Sequence, residues 1–196
     1  MSVLAIGIAA LGMLATVIPA ARITADGALT RTRHGIAPVL FVVIRAAYIF
    51  SRAVPELVWA MLIVFIFSPG ILPGAIALGI HNFGVLGKLC AEVVEDLDLR
   101  PARAVRAAGA SSAQTLLYAV LPSALPQFLT YILYRWEVII RTTIVVGFVS
   151  AAGLGREFRL RMSFFHYTDV ALLLLVYFLL VLSVDLLSTV LRRLAR

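Results

Sequence analysis

The stretch RAAGASSAQTLLYAVLPSALP, residues 106–126, decides the fold of this chain, because it is short and half-polar where the flanking sequence is strongly apolar. Gly109 divides the stretch into two halves. Upstream of it, Arg100 and Pro101 suit a helix start, since proline is favoured at the first helical position and glycine commonly ends a helix. The pattern therefore predicts a short helix, a hinge at Gly109 and a second short helix.

The second helix has start and stop signals of its own. Ser111 and Gln114 form the S-x-x-Q pattern of a capping box, in which each residue hydrogen-bonds to the backbone of the other. Apolar residues then share one helical face: Leu116, Leu117, Val120 and Leu121. Because proline cannot continue the hydrogen-bond ladder, we predict that this helix stops at Pro122. The region 92–122 is then a polar loop outside the bilayer.

The rest of the chain has the composition of an integral membrane protein. Of its 196 residues, 62% are hydrophobic and 14% are charged, against about 45–50% and about 25% in soluble domains. A spanning helix needs about 20 apolar residues, so this length allows four to six spans. We predict an all-α, polytopic membrane protein in which residues 1–196 form a single transmembrane domain.

Five apolar segments are candidate spans. They are residues 3–21, 36–67 with a kink at Pro55, 75–91, 126–149 and 169–191. The uncharged turn SPGILPG and the loop 150–168 are predicted to lie on the outer face. The first segment has the length of a signal-peptide core but no basic region before it, so we expect a retained helix.

The net charge of +7 indicates membrane topology rather than nucleic-acid binding. Ten Lys and Arg flank the spans on one side and three flank them on the other, which places the 92–122 loop and the C-terminus in the cytoplasm. The single cysteine, Cys90, has no Cys/His spacing of a metal site. The three scattered histidines argue against an enzyme, and the phosphate-binding pattern G-x-x-x-x-G-K-[ST] is absent.

Small side chains in the predicted loop would let another protein approach closely; they are Ala104, Ala107, Ala108, Gly109 and Ala110. One interpretation is a docking element. The other is an amphipathic helix that rests on lipid headgroups. The spacing by itself leaves both open.

The loop resembles the signature of inner-membrane permeases of ABC importers. That signature reads E-A-A, three residues, Gly, nine residues, Ile-x-Leu-Pro, and it forms the coupling helix that fits a groove on the ATPase subunit. The resemblance implies ATPase-coupling roles for Arg103, Ala104, Val105, Gly109, Ala110, Ser111, Leu121 and Pro122. Two residues depart from the family pattern, because Arg103 stands where an acid is usual and Ala119 where isoleucine is usual.

Four further segments are similar to phosphonate-type permeases, whose relatives also serve phosphite. They are SRAVPELVWA (51–60), ALGIHNFGVLGKLCAE (77–92), LPQFLTYILYRWEVIIR (125–141) and VVGFVSAAGLG (145–155). The resemblance implies the type I ABC importer permease fold in the bacterial inner membrane. Its implied partners are a dimer of ATPase subunits, a second permease copy, identical or different, and a periplasmic or lipid-anchored solute-binding protein. ATP and Mg²⁺ would be bound by the ATPase, and no cofactor by this chain.

Two alternatives to a phosphonate-type importer stay open on the sequence. One is an ABC permease for a different small solute, and the other is a membrane scaffold that transports nothing. Family permeases usually extend further at the N-terminus, so a short natural form, a misassigned start and a decayed copy also stay open.

Three charged residues, Arg135, Glu137 and Arg141, lie well inside the fourth predicted span. A charge at the centre of a span costs roughly 2.5–3.5 kcal/mol, so each needs a partner or water. Glu137 and Arg141 are four residues apart, in the favourable order for an intrahelical pair, which is the structural interpretation. The functional interpretation is a translocation path in which a guanidinium attracts an oxyanion, with His81 and Asn82 as a polar notch in the third span.

Overall fold

The computed structural model describes residues 1–21, 36–150 and 152–194, and the regular structure in these ranges is helical throughout. The α-helices are α1 (Ser2–Ala20), α2 (Ile36–Ala53), α3 (Glu56–Phe67), α4 (Ile71–Glu95), α5 (Arg100–Ala107), α6 (Ser112–Thr115), α7 (Leu121–Ser150), α8 (Gly153–Ser163) and α9 (Tyr167–Leu194). A π-helical turn, Leu116–Val120, joins α6 to α7. The predicted cytoplasmic loop 22–35 lies outside the described residues.

Four of the described helices are long and apolar enough to cross a membrane: α1, α4, the continuous helix from α6 to α7, and α9. Each corresponds to one of the predicted spans, and α2 with α3 covers the remaining one. The all-α membrane fold and its four to five apolar spans are thus confirmed.

The chain bends sharply at Pro55, where a kink was predicted. α2 and α3 form a broken pair bent by 95°, so the break predicted at Pro55 is confirmed and it separates two helices. Proline has no N–H to donate to the carbonyl four residues earlier, which is that of Ser51. The Trp59 Nε1–H donates to this carbonyl at 3.0 Å, and the His81 Nδ1–H donates to the Val54 carbonyl at 3.0 Å. Side chains thus satisfy the carbonyls that the break exposes, as a broken membrane helix requires.

The central helix of the fold is α4, which packs against α1, α2, α3 and α7. Its close approach to α2 depends on Gly87, because a Cβ there would lie 2.2 Å from the ring of Tyr48. Tyr48 is itself 1% exposed and is held by a 2.7 Å hydrogen bond between its hydroxyl and that of Thr16 on α1. Three helices therefore meet around one buried tyrosine.

Two segments predicted as a turn and a loop contain helix. α4 begins at Ile71 rather than at residue 75, because Pro73 falls in the first turn, where no helical donor is missing. Within the predicted outer loop 150–168, the described residues contain the helix α8. Gly155 lets α8 pack on α7, since a Cβ there would lie 2.2 Å from the Ile144 carbonyl oxygen and 2.8 Å from Gly147.

The last helix, α9, makes its main contacts with α7 and α8 in the described part of the chain. Most of its leucines and its phenylalanine are exposed, and its buried residues are Val170 and Ser188. An exposed apolar helix of this kind suits contact with lipid or with another apolar surface.

Candidate functional site

The hinge region is built by α5, Gly109 and α6. Pro101 lies in the first turn of α5, as predicted. Gly109 has φ = +92°, the left-handed conformation that glycine adopts without steric cost. The N–H of Gly109 donates to the Arg106 carbonyl at 3.0 Å, and the N–H of Ala110 donates to the Val105 carbonyl at 3.3 Å. These bonds close the C-terminus of α5 and turn the chain sharply into α6.

The start of α6 is the capping box that the sequence predicts. The Ser111 N–H donates to the Gln114 side-chain oxygen at 2.8 Å, and the Gln114 N–H donates to the Ser111 Oγ at 3.3 Å. Thr115 is buried and its hydroxyl donates to the Ser111 carbonyl at 3.0 Å. The hinge is therefore closed by hydrogen bonds on both sides.

The prediction that Pro122 ends the second helix is wrong. Leu121 and Pro122 are instead the first residues of α7, and α6 runs into α7 without interruption. Because Pro122 lacks an N–H and its ring crowds the carbonyl of Tyr118, the chain widens by one residue. The N–H of Leu121 reaches back to the Leu116 carbonyl, the five-residue spacing of a π-helix. The second short helix is thus the N-terminal part of the long helix Ser112–Val149.

Residues at the predicted coupling positions differ in exposure. Arg103, Ala104, Gly109, Ser111 and Pro122 are exposed, while Val105, Ala110 and Leu121 are partly buried. Arg103 makes no salt bridge with another residue in the described ranges. The exposed surface of α5 and the hinge therefore consists of small side chains beside one cation. We call this surface the hinge surface; it contains Arg103, Ala104, Ala107, Ala108 and Gly109.

A second polar group lies between α4 and α7. Arg135 donates to the Asn82 Oδ1 twice, from Nε at 2.8 Å and from Nη2 at 2.6 Å. Asn82 is fully buried, and its Nδ2 donates to the Leu78 carbonyl at 2.7 Å. The neighbouring His81 reaches the α2–α3 break through Val54. The structure thus brings Asn82 and Arg135 together, whereas His81 contacts the α2–α3 break instead.

The predicted pair between Glu137 and Arg141 is wrong, because each has a partner on α9. Glu137 binds Arg192 at 2.5 Å and accepts a hydrogen bond from the Ser188 hydroxyl. Arg141 lies 3.2 Å from Asp185. Positions 185, 188 and 192 recur on one face of α9, which is turned towards α7. A charge on a facing helix therefore replaces the intrahelical partner that the spacing favoured.

The sequence reasoning missed a contact between Arg45 and Glu95. The Arg45 Nη2 hydrogen-bonds to the Glu95 carboxylate in the last turn of α4, and Nε donates to the Ala20 carbonyl at the end of α1 at 2.9 Å. The partners are 25 and 50 residues away in the chain, so no local spacing could indicate them. The only indication in the sequence was that Arg45 is a charged residue inside an apolar segment and has no acidic residue three or four positions away.

Together these features define a class of protein: a multi-span α-helical membrane protein built around a central helix, with a broken helix pair and an exposed hinge before its last long spans. The fold is that of ABC transporter permeases. An amino acid ABC transporter crystal structure matches 98% of this chain and 87% of its own with a TM-score of 0.75 at 20% identity. The MetNI methionine ABC transporter in its inward-facing form matches with a TM-score of 0.74 at 16% identity, over 100% of this chain and 94% of its own.

The chain belongs to the family of binding-protein-dependent transport system inner membrane components, whose model matches residues 34–196. The phosphite transport system permease protein PtxC of Stutzerimonas stutzeri is 43% identical over 80% of this chain and 57% of its own. The phosphate-import permease protein PhnE of Mycolicibacterium smegmatis is 34% identical over 80% of this chain and 29% of its own. The putative cryptic phosphonate transport system permease protein PhnE2 of Escherichia coli is 37% identical over 60% of this chain and 97% of its own. The chain spans about half the length of the first two curated relatives, 57% and 51%.

Proposed function

We propose that this chain is the membrane-spanning permease subunit of an ATP-driven ABC importer for phosphite, phosphonate or a related phosphorus oxyanion. The observation that carries the proposal is the similarity to permeases of phosphite and phosphonate transport systems, at 43% identity for PtxC. The exposed hinge surface supports it, because it lies at the positions of the family's coupling signature. In this role the chain is not an enzyme and binds no cofactor.

The hinge surface is the contact for the ATPase. Small side chains let a partner approach the backbone closely, and Gly109 sets the angle between α5 and α6. The exposed Arg103 offers a cation where the family signature has an acid, so the ATPase groove facing it is expected to be acidic or neutral. ATP and Mg²⁺ are bound by that subunit.

The route of the motion follows from the helix connectivity. α6 continues through the π-helical turn into α7, so a push on the hinge surface moves α7 directly. α7 carries Arg135, and its ion pairs to α9 carry the last helix with it. ATPase closure is thereby converted into a rearrangement around α4, which favours one of two access states.

The complete importer in this proposal contains further chains. A second permease copy, identical or different, completes the membrane part, two ATPase subunits lie on the cytoplasmic side, and a solute-binding protein delivers the anion from outside. The hinge surface and the C-terminus of this chain then face the cytoplasm of a bacterial cell, as the Lys and Arg distribution predicts.

A tryptophan in the hinge surface tests the proposal. Ala104→Trp adds bulk to an exposed helical position, and Ala171→Trp adds the same bulk to an exposed position on α9. Each variant is co-expressed with the cognate ATPase and binding protein, and both co-purified ATPase and phosphite uptake are measured. We expect Ala104→Trp to lower both and Ala171→Trp to lower neither.

Two outcomes contradict the proposal. If Ala104→Trp retains the ATPase and full uptake, the hinge surface is not the coupling contact, and an interfacial helix resting on lipid explains it. If the unmodified chain binds no ATPase and supports no uptake, the protein is a scaffold rather than a transport subunit.

A further inference from the structure

Arg135 differs from the other two charged residues of α7 in how its charge is compensated. Glu137 and Arg141 each form an ion pair with a residue of α9. Arg135 hydrogen-bonds to the neutral side chain of Asn82, and it forms no salt bridge within 4.0 Å in the described part of the chain. A positive charge is therefore left without a contacting counter-charge at the centre of a membrane helix, where it is costly.

The contact with Asn82 fixes the position of the guanidinium but occupies only some of its hydrogen-bond donors. A guanidinium has five N–H donors, and the Asn82 oxygen accepts from two of them. Three donors remain in the planar array that suits an anion with several oxygens. Asn82 is itself held, because its Nδ2 donates to the Leu78 carbonyl and so directs Oδ1 towards Arg135. The arrangement is preorganised, with the charge held but not neutralised.

The surroundings of this pair suit a place that ligands pass through. Arg135 is only partly buried, and it reaches from α7 to Asn82 on α4. The residue before Asn82, His81, contacts Val54 at the α2–α3 break. Glu56, the first residue of α3, attracts Arg135 electrostatically without contacting it. The negative charge of Glu56 weakens the positive field at the guanidinium, and this limits how tightly an anion is held.

We propose that Arg135 and Asn82 form a transient binding position for the phosphorus oxyanion as it crosses the permease. The proposal rests on the function proposed above and adds a named residue pair to it. One guanidinium with three free donors attracts a tetrahedral oxyanion from the binding protein, and Glu56 favours its release. Arg141 has no such role, because its charge is compensated by Asp185.

Asn82→Asp nearly preserves size and places a negative charge against the Arg135 guanidinium, and it also removes the Nδ2 donor to the Leu78 carbonyl. If Arg135 only joins two helices, this variant keeps uptake. If its charge serves the anion, uptake falls although the fold is retained. Arg135→Gln removes the charge itself, and Asn82→Asp with Glu56→Gln restores the charge balance around Arg135, since one acid is exchanged for another.

Phosphite uptake is measured in proteoliposomes that contain the complete complex, together with ATPase activity stimulated by the binding protein. We expect Asn82→Asp and Arg135→Gln to reduce uptake by about tenfold, the loss expected for a charge-assisted hydrogen bond. We expect Arg135→Lys, which keeps the charge, to retain more uptake than Arg135→Gln, and Glu56→Gln to restore part of the uptake of Asn82→Asp. The ATPase should still assemble with each variant.

If the wild-type complex transports phosphite and Asn82→Asp keeps full uptake, the proposal is overturned. A wild-type complex that transports no phosphorus oxyanion overturns the proposed function instead, so the two failures are distinguishable. If Arg135→Lys and Arg135→Gln lose uptake equally, the effect is not one of charge, and this also overturns the proposal.

Discussion

Arg45 on α2 binds Glu95 in the last turn of α4, and the side chains are 22% and 20% exposed. Because Arg45 also donates to the Ala20 carbonyl, one side chain joins the ends of α1 and α4 to α2. Glu95 is followed within a few residues by α5, so the contact fixes the base from which the hinge surface projects.

Arg45→Met is expected to lower the stability of the purified protein by about 3 kcal/mol, since it removes a cation that contacts a largely buried carboxylate. Uptake should fall further than co-purification of the ATPase, because the hinge surface itself is unchanged. Thermal unfolding in detergent and uptake in proteoliposomes measure the two effects. The double variant Arg45→Met with Glu95→Met should regain part of the stability, and failure to regain any would argue against the pair.

The charges of α7 are expected to behave as two separate interhelical pairs. Arg141→Gln should cost about 1 kcal/mol, since the Arg141 and Asp185 side chains are 52% and 41% exposed and such pairs contribute little. Adding Asp185→Asn should recover that loss, whereas adding Glu137→Gln should increase it. A double-mutant cycle of thermal unfolding measures the coupling. Coupling between Arg141 and Glu137, rather than Asp185, would restore the intrahelical pair.

Gly109→Ala is expected to weaken the ATPase contact by about tenfold, because a side chain at φ = +92° costs about 1–2 kcal/mol and shifts the hinge. Gly153→Ala is a matched control, since Gly153 also has a positive φ, +70°, and also has open space around its Cβ position. Co-purification of the ATPase, measured over a series of ATPase concentrations, distinguishes the two variants. Equal weakening by both would mean that backbone strain anywhere, rather than hinge geometry, is responsible.

Gly155→Ala should detach α8 from α7, because a Cβ there overlaps the Ile144 carbonyl and Gly147. Overpacking of this kind costs about 1–3 kcal/mol. The readout is faster tryptic cleavage after Arg156, Arg159 and Arg161, which lie on α8. Gly7→Ala in α1 is the control, since its Cβ position is open, and it should leave cleavage unchanged. If Gly155→Ala is cleaved no faster than Gly7→Ala, the packing role of Gly155 is contradicted.

The sequence predicts some features well because their causes are local. The apolar runs indicate the spans, and the capping box of Ser111 and the left-handed Gly109 depend on residues only a few positions apart. The prolines are harder, because the effect of a proline depends on where the helix around it begins. Pro122 could end one helix or start another, and the π-helical turn that decides this spans residues before it.

The partners of charged residues could not be predicted from spacing. Glu137 and Arg141 have a favourable intrahelical order, but α9 brings Arg192 and Asp185 closer from about 50 residues away. The same holds for Asn82 and Arg135, which are 53 residues apart. Such pairs depend on how helices are arranged around α4, which composition and periodicity do not specify.

The most direct test of the account is ATP-dependent accumulation of phosphite in proteoliposomes that contain this chain, its cognate ATPase and its binding protein. Accumulation is expected to require all three components and ATP, to be inhibited by phosphonates, and to be lower in the Ala104→Trp variant. An assembled complex that hydrolyses ATP but accumulates neither phosphite nor a phosphonate would contradict it.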